Sequence, residues 1–302
     1  MRSLLSSCAA VFVCALVIRG HALSAEEPQQ PVSKPDAVKA WNAFYQRDAQ
    51  ETYRFELVET GVGDAPARER SLEFDPTPIL RWTNPLEEGD IHGAVYVWRD
   101  GGRPVVLGQL FSYLNGRGGR VYCHAMHSLA RRGESVTGLR DGKVFWKPDS
   151  PGVEMHEVPM APPPAANRAG RLSQMKAISR RFTAYTEEAT RGKRILRLLP
   201  TPLDRIPEGA EEDADGALFS LVVGNDPEVI LLVETATTPP TGAVWRYGLI
   251  RSTRSTSVVL LDEKEVWRHD ASDKPPTDLR SGYLSVHGIA TLPLEPPVAP
   301  SH

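Results

Sequence analysis

The sequence predicts an α+β fold, mostly antiparallel β, made by tandem duplication of a helix-plus-six-strand unit whose two copies pack as a pseudo-symmetric pair. Three observations lead there. A hairpin phrase occurs twice: Gly93-Ala94-Val95-Tyr96, Gly101-Gly102-Arg103-Pro104 and Val105-Val106-Leu107 return as Gly216-Ala217-Leu218-Phe219, Gly224-Asn225-Asp226-Pro227 and Val229-Ile230-Leu231-Leu232. Blocks on either side recur in the same order, with offsets between 121 and 124 positions. Leu72-x-Phe74-x-Pro76-Thr77-Pro78 matches Leu196-x-Leu198-x-Pro200-Thr201-Pro202, and Val121-Tyr122 matches Val244-Trp245. Leu139-x-Asp141-x-Lys143-x-x-Trp146 matches Leu260-x-Asp262-x-Lys264-x-x-Trp267. Finally, 26 prolines and 24 glycines suit many strands joined by turns rather than a helical bundle.

In chain order, residues 1–24 read as a secretory signal peptide, with Arg2, an apolar run from Leu4 to Ile18, and small residues at Ala22, Ser24 and Ala25. The apolar run is short for a bilayer span, so no membrane span is expected after cleavage. Residues 25–34 read as a linker. The first copy, 35–149, opens with a helix that Ser33 caps, and Val38, Trp41 and Tyr45 form its apolar face. Tyr53, Phe55 and Leu57 then alternate with polar residues, as in a half-buried strand. A strand at Leu72–Phe74 stops at Pro76-Thr77-Pro78; the hairpin, a strand over Val121–His127 and one ending at Trp146 follow. Residues 150–167 read as a proline-rich linker. The second copy, 168–270, repeats the order, with Leu172, Met175 and Phe182 on the apolar side of its helix. Consecutive apolar residues from Val229 to Val233 call for cover on both faces, which the other copy supplies. The tail, 271–302, adds an edge strand over Tyr283–Ile289. Trp146 and Trp267, shared by the copies, are expected in the core.

The formal charge is −3, and loss of Arg2 and Arg19 takes it to −5, which argues against nucleic acid as a partner. Cys8 and Cys14 lie within the signal, leaving Cys123 without an intrachain partner and best read as a small buried hydrophobe. The expected location is outside the cytoplasm: periplasmic, cell-surface or extracellular.

Several stretches resemble a family of secreted bacterial proteins: Trp82-Thr83-Asn84-Pro85, His92-Gly93-Ala94-Val95-Tyr96-Val97-Trp98, Gly102-Arg103-Pro104, His127-Ser128-Leu129, Asp215-Gly216-Ala217-Leu218-Phe219 and Asp226-Pro227-Glu228-Val229. The resemblance implies export and one shared fold. It brings no assigned activity and no catalytic residues.

Function is sought where the copies differ, since shared residues serve the fold. His92 stands where the second copy has Asp215, and His127 where it has Ile250; both histidines are therefore expected to be dispensable for stability if they form a site, the competing reading of His127 being a buried, satisfied histidine. With Asp90 they make a weak catalytic or metal-binding set for a hydrolase-like enzyme. Asp213 and Asp215 form a weak oxygen-ligand pair that lacks the rest of a calcium loop. Along Cys123–His127, Cys123 and His127 share one strand face and His124 takes the other, too spread out to hold one ion. Trp98, Tyr113 and Tyr122 are candidate ligand-binding aromatics. The pair Arg131-Arg132 reads as a solvated turn. No phosphate loop, nucleophile elbow or Cys-x-x-Cys occurs, and no cofactor is implied. The leading expectation is a non-enzymatic exported protein that binds a ligand or protein partner at the seam between the copies. The alternatives are the enzyme above and a structural component of the cell envelope.

Cleavage between Ala22 and Glu26 is the expected outcome of export. Intact-mass measurement of the extracytoplasmic fraction checks it; a mass that retains the whole apolar segment would overturn it.

Overall fold

The structure, a computed structural model, describes residues 34–60, 66–84, 90–188, 190–207, 215–238, 242–271 and 277–295. The expected signal peptide, the N-cap at Ser33 and Asp213 lie outside these. The fold is α+β and mostly antiparallel β.

Helix α1 (Lys34–Thr52) presents Trp41, Tyr45 and Ala49, four residues apart and all buried. The chain then enters β1 (Tyr53–Glu59), where Tyr53, Phe55 and Leu57 point inward as the alternation requires. Next come β2 (Arg68–Ser71), β3 (Glu73–Thr83), β4 (His92–Asp100), β5 (Arg103–Leu114), β6 (Arg120–Ser128), β7 (Glu134–Arg140) and β8 (Lys143–Trp146). A short β9 (Met155–Glu157) precedes α2 (Arg168–Ser179). After α2 follow β10 (Phe182–Glu188), β11 (Gly192–Leu198), β12 (Asp204–Arg205), β13 (Gly216–Val223), β14 (Asp226–Thr238), β15 (Gly242–Arg251), β16 (Thr256–Leu261) and β17 (Lys264–His269). The last strand is β18 (Tyr283–Leu292).

These strands form three sheets, ordered β2-β1-β7-β8, β18-β6-β5-β4-β3 and β17-β16-β10-β11-β13-β14-β15-β9, with β12 also on β13. The five-stranded sheet carries α1 on one face, where Ala94, Tyr96, Trp98, Leu110, Tyr122 and Met126 meet Trp41 and Tyr45. Its other face brings Val95, Val97, Leu107, Phe111, Cys123 and Ala125 against Leu218, Ile230, Leu232 and Ile250 of the nine-stranded sheet. The far face of that sheet packs Phe219, Leu231, Val233 and Trp245 on Met175 and Ile178 of α2. The layers therefore run helix, sheet, sheet, helix. Strands β4 to β6 and β13 to β15 are buried on both faces over most of their length, which explains their unbroken apolar runs.

Several expectations change. Within 35–149 and 168–270, eight strands among the described residues follow each helix rather than six, because short strands missed by the apolar pattern (β2, β12) and the β7–β8 and β16–β17 hairpins all count. Pro76-Thr77-Pro78 does not stop a strand. β3 runs through it by a register shift between Asp75 and Leu80, and Thr77 N–H donates to Asp75 Oδ1 at 3.0 Å. Its place at a sheet edge removes the need for the prolines to donate to a neighbour. Pro200-Thr201-Pro202 does separate β11 from β12. Phe182 begins β10, in keeping with a strand expected near Phe182–Thr186, and so does not lie on the helix; the proline-rich segment supplies β9, which pairs with β15. Trp146 is fully buried and donates its indole N–H to the Ser281 carbonyl at 2.8 Å. Trp267 is only half-buried. Cys123 is buried without a disulfide partner, and burial pushes its thiol up to about 11.

The repeated Gly-Ala has a steric cause. A Cβ on Gly93 would sit 2.5 Å from Phe111 Cβ and 2.7 Å from the Leu110 carbonyl oxygen. On Gly216 it would lie 2.7 Å from Ile206 Cδ1 and 2.9 Å from Glu234 Cβ. Gly93→Ala and Gly216→Ala should each cost about 1–3 kcal/mol, the usual range for overpacking. Urea denaturation of the two variants measures this, and unchanged midpoints would show that the strands can separate freely there.

Candidate functional site

The predicted site residues do not assemble. On β4 and β6, alternation sends His92 toward α1 and His127 toward the nine-stranded sheet, so the two imidazoles lie on opposite faces of one sheet. His92 is buried, with Nδ1 3.0 Å from the Tyr45 hydroxyl, which also meets Ser112 Oγ at 2.6 Å. Arg120 continues the chain: its Nε donates to Ser112 Oγ at 2.8 Å and its Nη1 to Asp90 Oδ2 at 3.1 Å. Asp90 thus clamps an arginine that helps hold α1 on the sheet. His127 is buried too, its Nδ1 donating to the Arg251 carbonyl at 2.7 Å and its ring against Tyr283. The expectation that both histidines are dispensable is therefore corrected: each is a satisfied core residue. His124 does take the opposite face from Cys123 and His127, with its Nδ1 2.8 Å from the Tyr53 hydroxyl.

The aromatic set is corrected as well. Trp98 lies in the core beneath Phe55 and Phe74, and Tyr122 is buried with its hydroxyl donating to Asp48 at 2.6 Å. Tyr113 alone of the three borders a cleft. Asp215 accepts from Arg171 of α2 and from Arg205, both at 2.7 Å, so it anchors a helix rather than an ion. Burial raises its carboxyl, but Arg205 and Arg171 outweigh that and hold it below the ordinary value. His92 and Asp215, which stand at matching places in the recurring sequence blocks, each fasten a different helix, α1 through Tyr45 and α2 through Arg171. Arg131 is not a solvated turn residue, since its guanidinium donates to Glu234 at 2.9 Å across the two sheets. No cluster of three metal-ligating side chains occurs among the described residues.

A different set converges. Where the two facing sheets diverge, a cleft of about 580 Å³ opens. One wall is aromatic and comes from the five-stranded sheet: Trp82 and Phe111 lie 5.7 Å apart, His287 is 5.5 Å from Phe111, and Tyr113 is 5.9 Å from His287. The other wall is charged. Asp226 and Glu228, at i and i+2 on β14, share the face turned to the first sheet. Asp226 accepts from Asn84 at 3.4 Å and Gln109 at 3.3 Å. Glu188 accepts from Arg194 at 2.5 Å and from Ser255 at 3.1 Å, while Arg191 and Arg254 complete the lining. Glu228 is 6% exposed. Burial, then the charge of Asp226, push its carboxyl up to about 8 despite a hydrogen bond from Thr253. One wall therefore offers a buried acid that holds its proton more tightly than usual, beside Asp226.

The sequence carries a signal for these residues in its recurring blocks. Glu228 replaces Val105 and Asp226 replaces Arg103 at the offset set by Pro104 and Pro227, while Gln109 replaces Leu232. A charge placed in an otherwise apolar run was the available signal. Comparison with protein-family models, with curated proteins and with solved structures finds no match to this chain.

The buried groups predict the pH dependence of stability. Burial lowers His92 and His127 from 6.5 to about 4, and His124 to about 3. The unfolded chain thus binds more protons below pH 6.5, and stability is lost as pH falls from there through the folded values. Glu228 has the opposite sign: raised from 4.5 to about 8, it binds its proton more tightly when folded, so stability declines as pH rises across that window. With three histidines against one glutamate, stability should peak near about pH 6.5 and fall by several degrees in Tm toward pH 8. Thermal unfolding as a function of pH checks this. Glu228→Gln should flatten the decline above pH 6.5, and an unaltered profile would remove the buried acid from the account.

Proposed function

We propose that this is an exported, non-enzymatic protein that binds a small polar molecule in the cleft between its two sheets. The observation that carries the reading is the convergence of Asp226, Glu228, Asn84 and Gln109 opposite the aromatic wall of Trp82, Phe111 and Tyr113. A flat apolar face against hydrogen-bond acceptors suits a ligand that carries hydroxyl or ammonium donors on a compact ring or chain. Export is supported by the basic, apolar and small-residue order of residues 1–25, and by the resemblance to secreted bacterial proteins. Among the described residues no helix is long and apolar enough to cross a membrane.

The reading includes a tandem duplication. Its support is that β8-β7-β1-β2 has the same neighbour order as β17-β16-β10-β11, and β3-β4-β5-β6 the same as β12-β13-β14-β15. Further support comes from the last hairpin of each set. Asp141 and Asp262 both take positive φ, 51° and 49°, and their amides donate to the residue just before β1 or β10, at 2.9 and 3.1 Å. Positive φ at a non-glycine residue is uncommon enough that its recurrence at matched aspartates has weight.

A second reading, an acid–base enzyme, draws on Glu228 as a protonated acid beside Asp226 rather than on the histidines. Thermal-shift screening of saccharides, polyols and aliphatic amines, followed by titration calorimetry, separates the two. Binding without turnover, weakened about tenfold or more in Asp226→Asn, is expected. Conversion of a bound compound that stops in Glu228→Gln would favour the enzyme. Absence of any binder, or equal binding by Asp226→Asn, would overturn the cleft as the site.

A further inference from the structure

A second cleft, of about 320 Å³, lies beside the Pro151-Gly152 segment and is lined by Arg251, His156, His269, Trp267, Tyr283 and Glu154 among others. Its central group is unusual. Arg251 ends β15, is 9% exposed, and has no carboxylate partner among the described residues. Its Nε donates to the Thr253 carbonyl at 2.5 Å and its Nη2 to the Arg254 carbonyl at 3.0 Å. Nη1 lies 2.9 Å from His269 Nε2. His269 Nδ1 is 2.9 Å from the Asp270 carbonyl, which only accepts; Nδ1 therefore carries the proton and Nε2 accepts from Arg251. All three acceptors of the guanidinium are thus neutral. Its plane is fixed, its charge is uncompensated, and one N–H on each terminal nitrogen is left over.

Such a group is costly unless something supplies the missing charge, since a buried cation is normally paired. The face of Tyr283 lies 5.1 Å from the guanidinium carbon and offsets part of that cost. We propose that this cleft is an anion-binding site in which Arg251 presents its two remaining N–H groups to the carboxylate of a small organic acid. The surroundings favour that class over phosphate. One cation is present rather than a cluster, Glu154 on the lining disfavours a doubly charged ligand, and Trp267, Val266 and Leu249 offer apolar contact for an organic body. The neighbouring imidazole supplies a reporter. Burial, then the charge of Arg251, hold His269 below its ordinary value, and a bound anion would relieve the second effect.

The test titrates the full mature chain with benzoate, acetate and inorganic phosphate, following the His269 ring by NMR and affinity by calorimetry. Saturable benzoate binding, weaker acetate binding and an upward shift of the His269 pKa are expected. Arg251→Gln should lower benzoate affinity about ten- to hundredfold. Because Arg251 also holds the 253–254 backbone, Trp267→Ala serves as a second variant, expected to weaken benzoate more than acetate. Phosphate binding in preference to both acids would overturn the ligand class. No saturable binding, or binding unchanged in a folded Arg251→Gln protein, would overturn the site.

Discussion

The structure depends on one apolar face shared by two sheets. Val95, Val97, Leu107 and Ala125 on one side meet Leu218, Ile230, Leu232 and Ile250 on the other in one buried apolar cluster. Each fully buried aliphatic side chain is worth about 1.5–3 kcal/mol relative to exposure. The central strands must then also satisfy a helix on their outer faces. Close neighbours within the sheets and at the seam account for Gly93 and Gly216, and polar pairs stand around the rim of the shared face. Arg99 forks onto Asp204 at 2.9 and 3.0 Å, and Arg131 reaches Glu234, each pair joining one sheet to the other. Side chains that would be stranded beside an apolar seam instead fix how the sheets sit on each other.

The first cleft is a product of the same geometry. The seam is apolar along most of its length and turns polar where β14 begins, just after the Gly224-Asn225 turn. There Asp226 and Glu228 occupy the inward positions that Ile230 and Leu232 occupy further along the strand. Burial raises the Glu228 carboxyl above its ordinary value, while amide donors keep Asp226 supplied with partners. The site is an interruption of the core rather than an addition to its surface.

Much of the architecture was legible in the sequence because it rests on period. Alternation placed β1, consecutive apolar residues placed β14 on two buried faces, and helical spacing placed Trp41 and Tyr45 inward. Proline misled at residues 76–78, because a bulged edge strand needs no donor there. The candidate site was less legible. His92 and His127 are both held by packing and hydrogen bonds, and only strand pairing reveals that they point apart. Glu228 sat in the same comparison with Val105, but its meaning depends on Gln109, Asn84 and His287, which lie far along the chain and meet it only in the folded molecule. Arg251 gave no local signal at all, since the neutrality of its partners is a property of three-dimensional acceptors.

The strands β9 and β18 are exchanged. β9 follows the first eight strands yet completes the sheet of the second set, and β18 follows the second set yet completes the sheet of the first, pairing Tyr283 with His127. Each sheet therefore borrows its outermost strand from chain that lies beyond the other. For a polypeptide emerging from its amino end, the β6 edge lacks its outer neighbour until the chain has passed through all of β10 to β17. Sheet order and chain order thus run against each other, and a distant strand serves as the latch on structure begun far earlier.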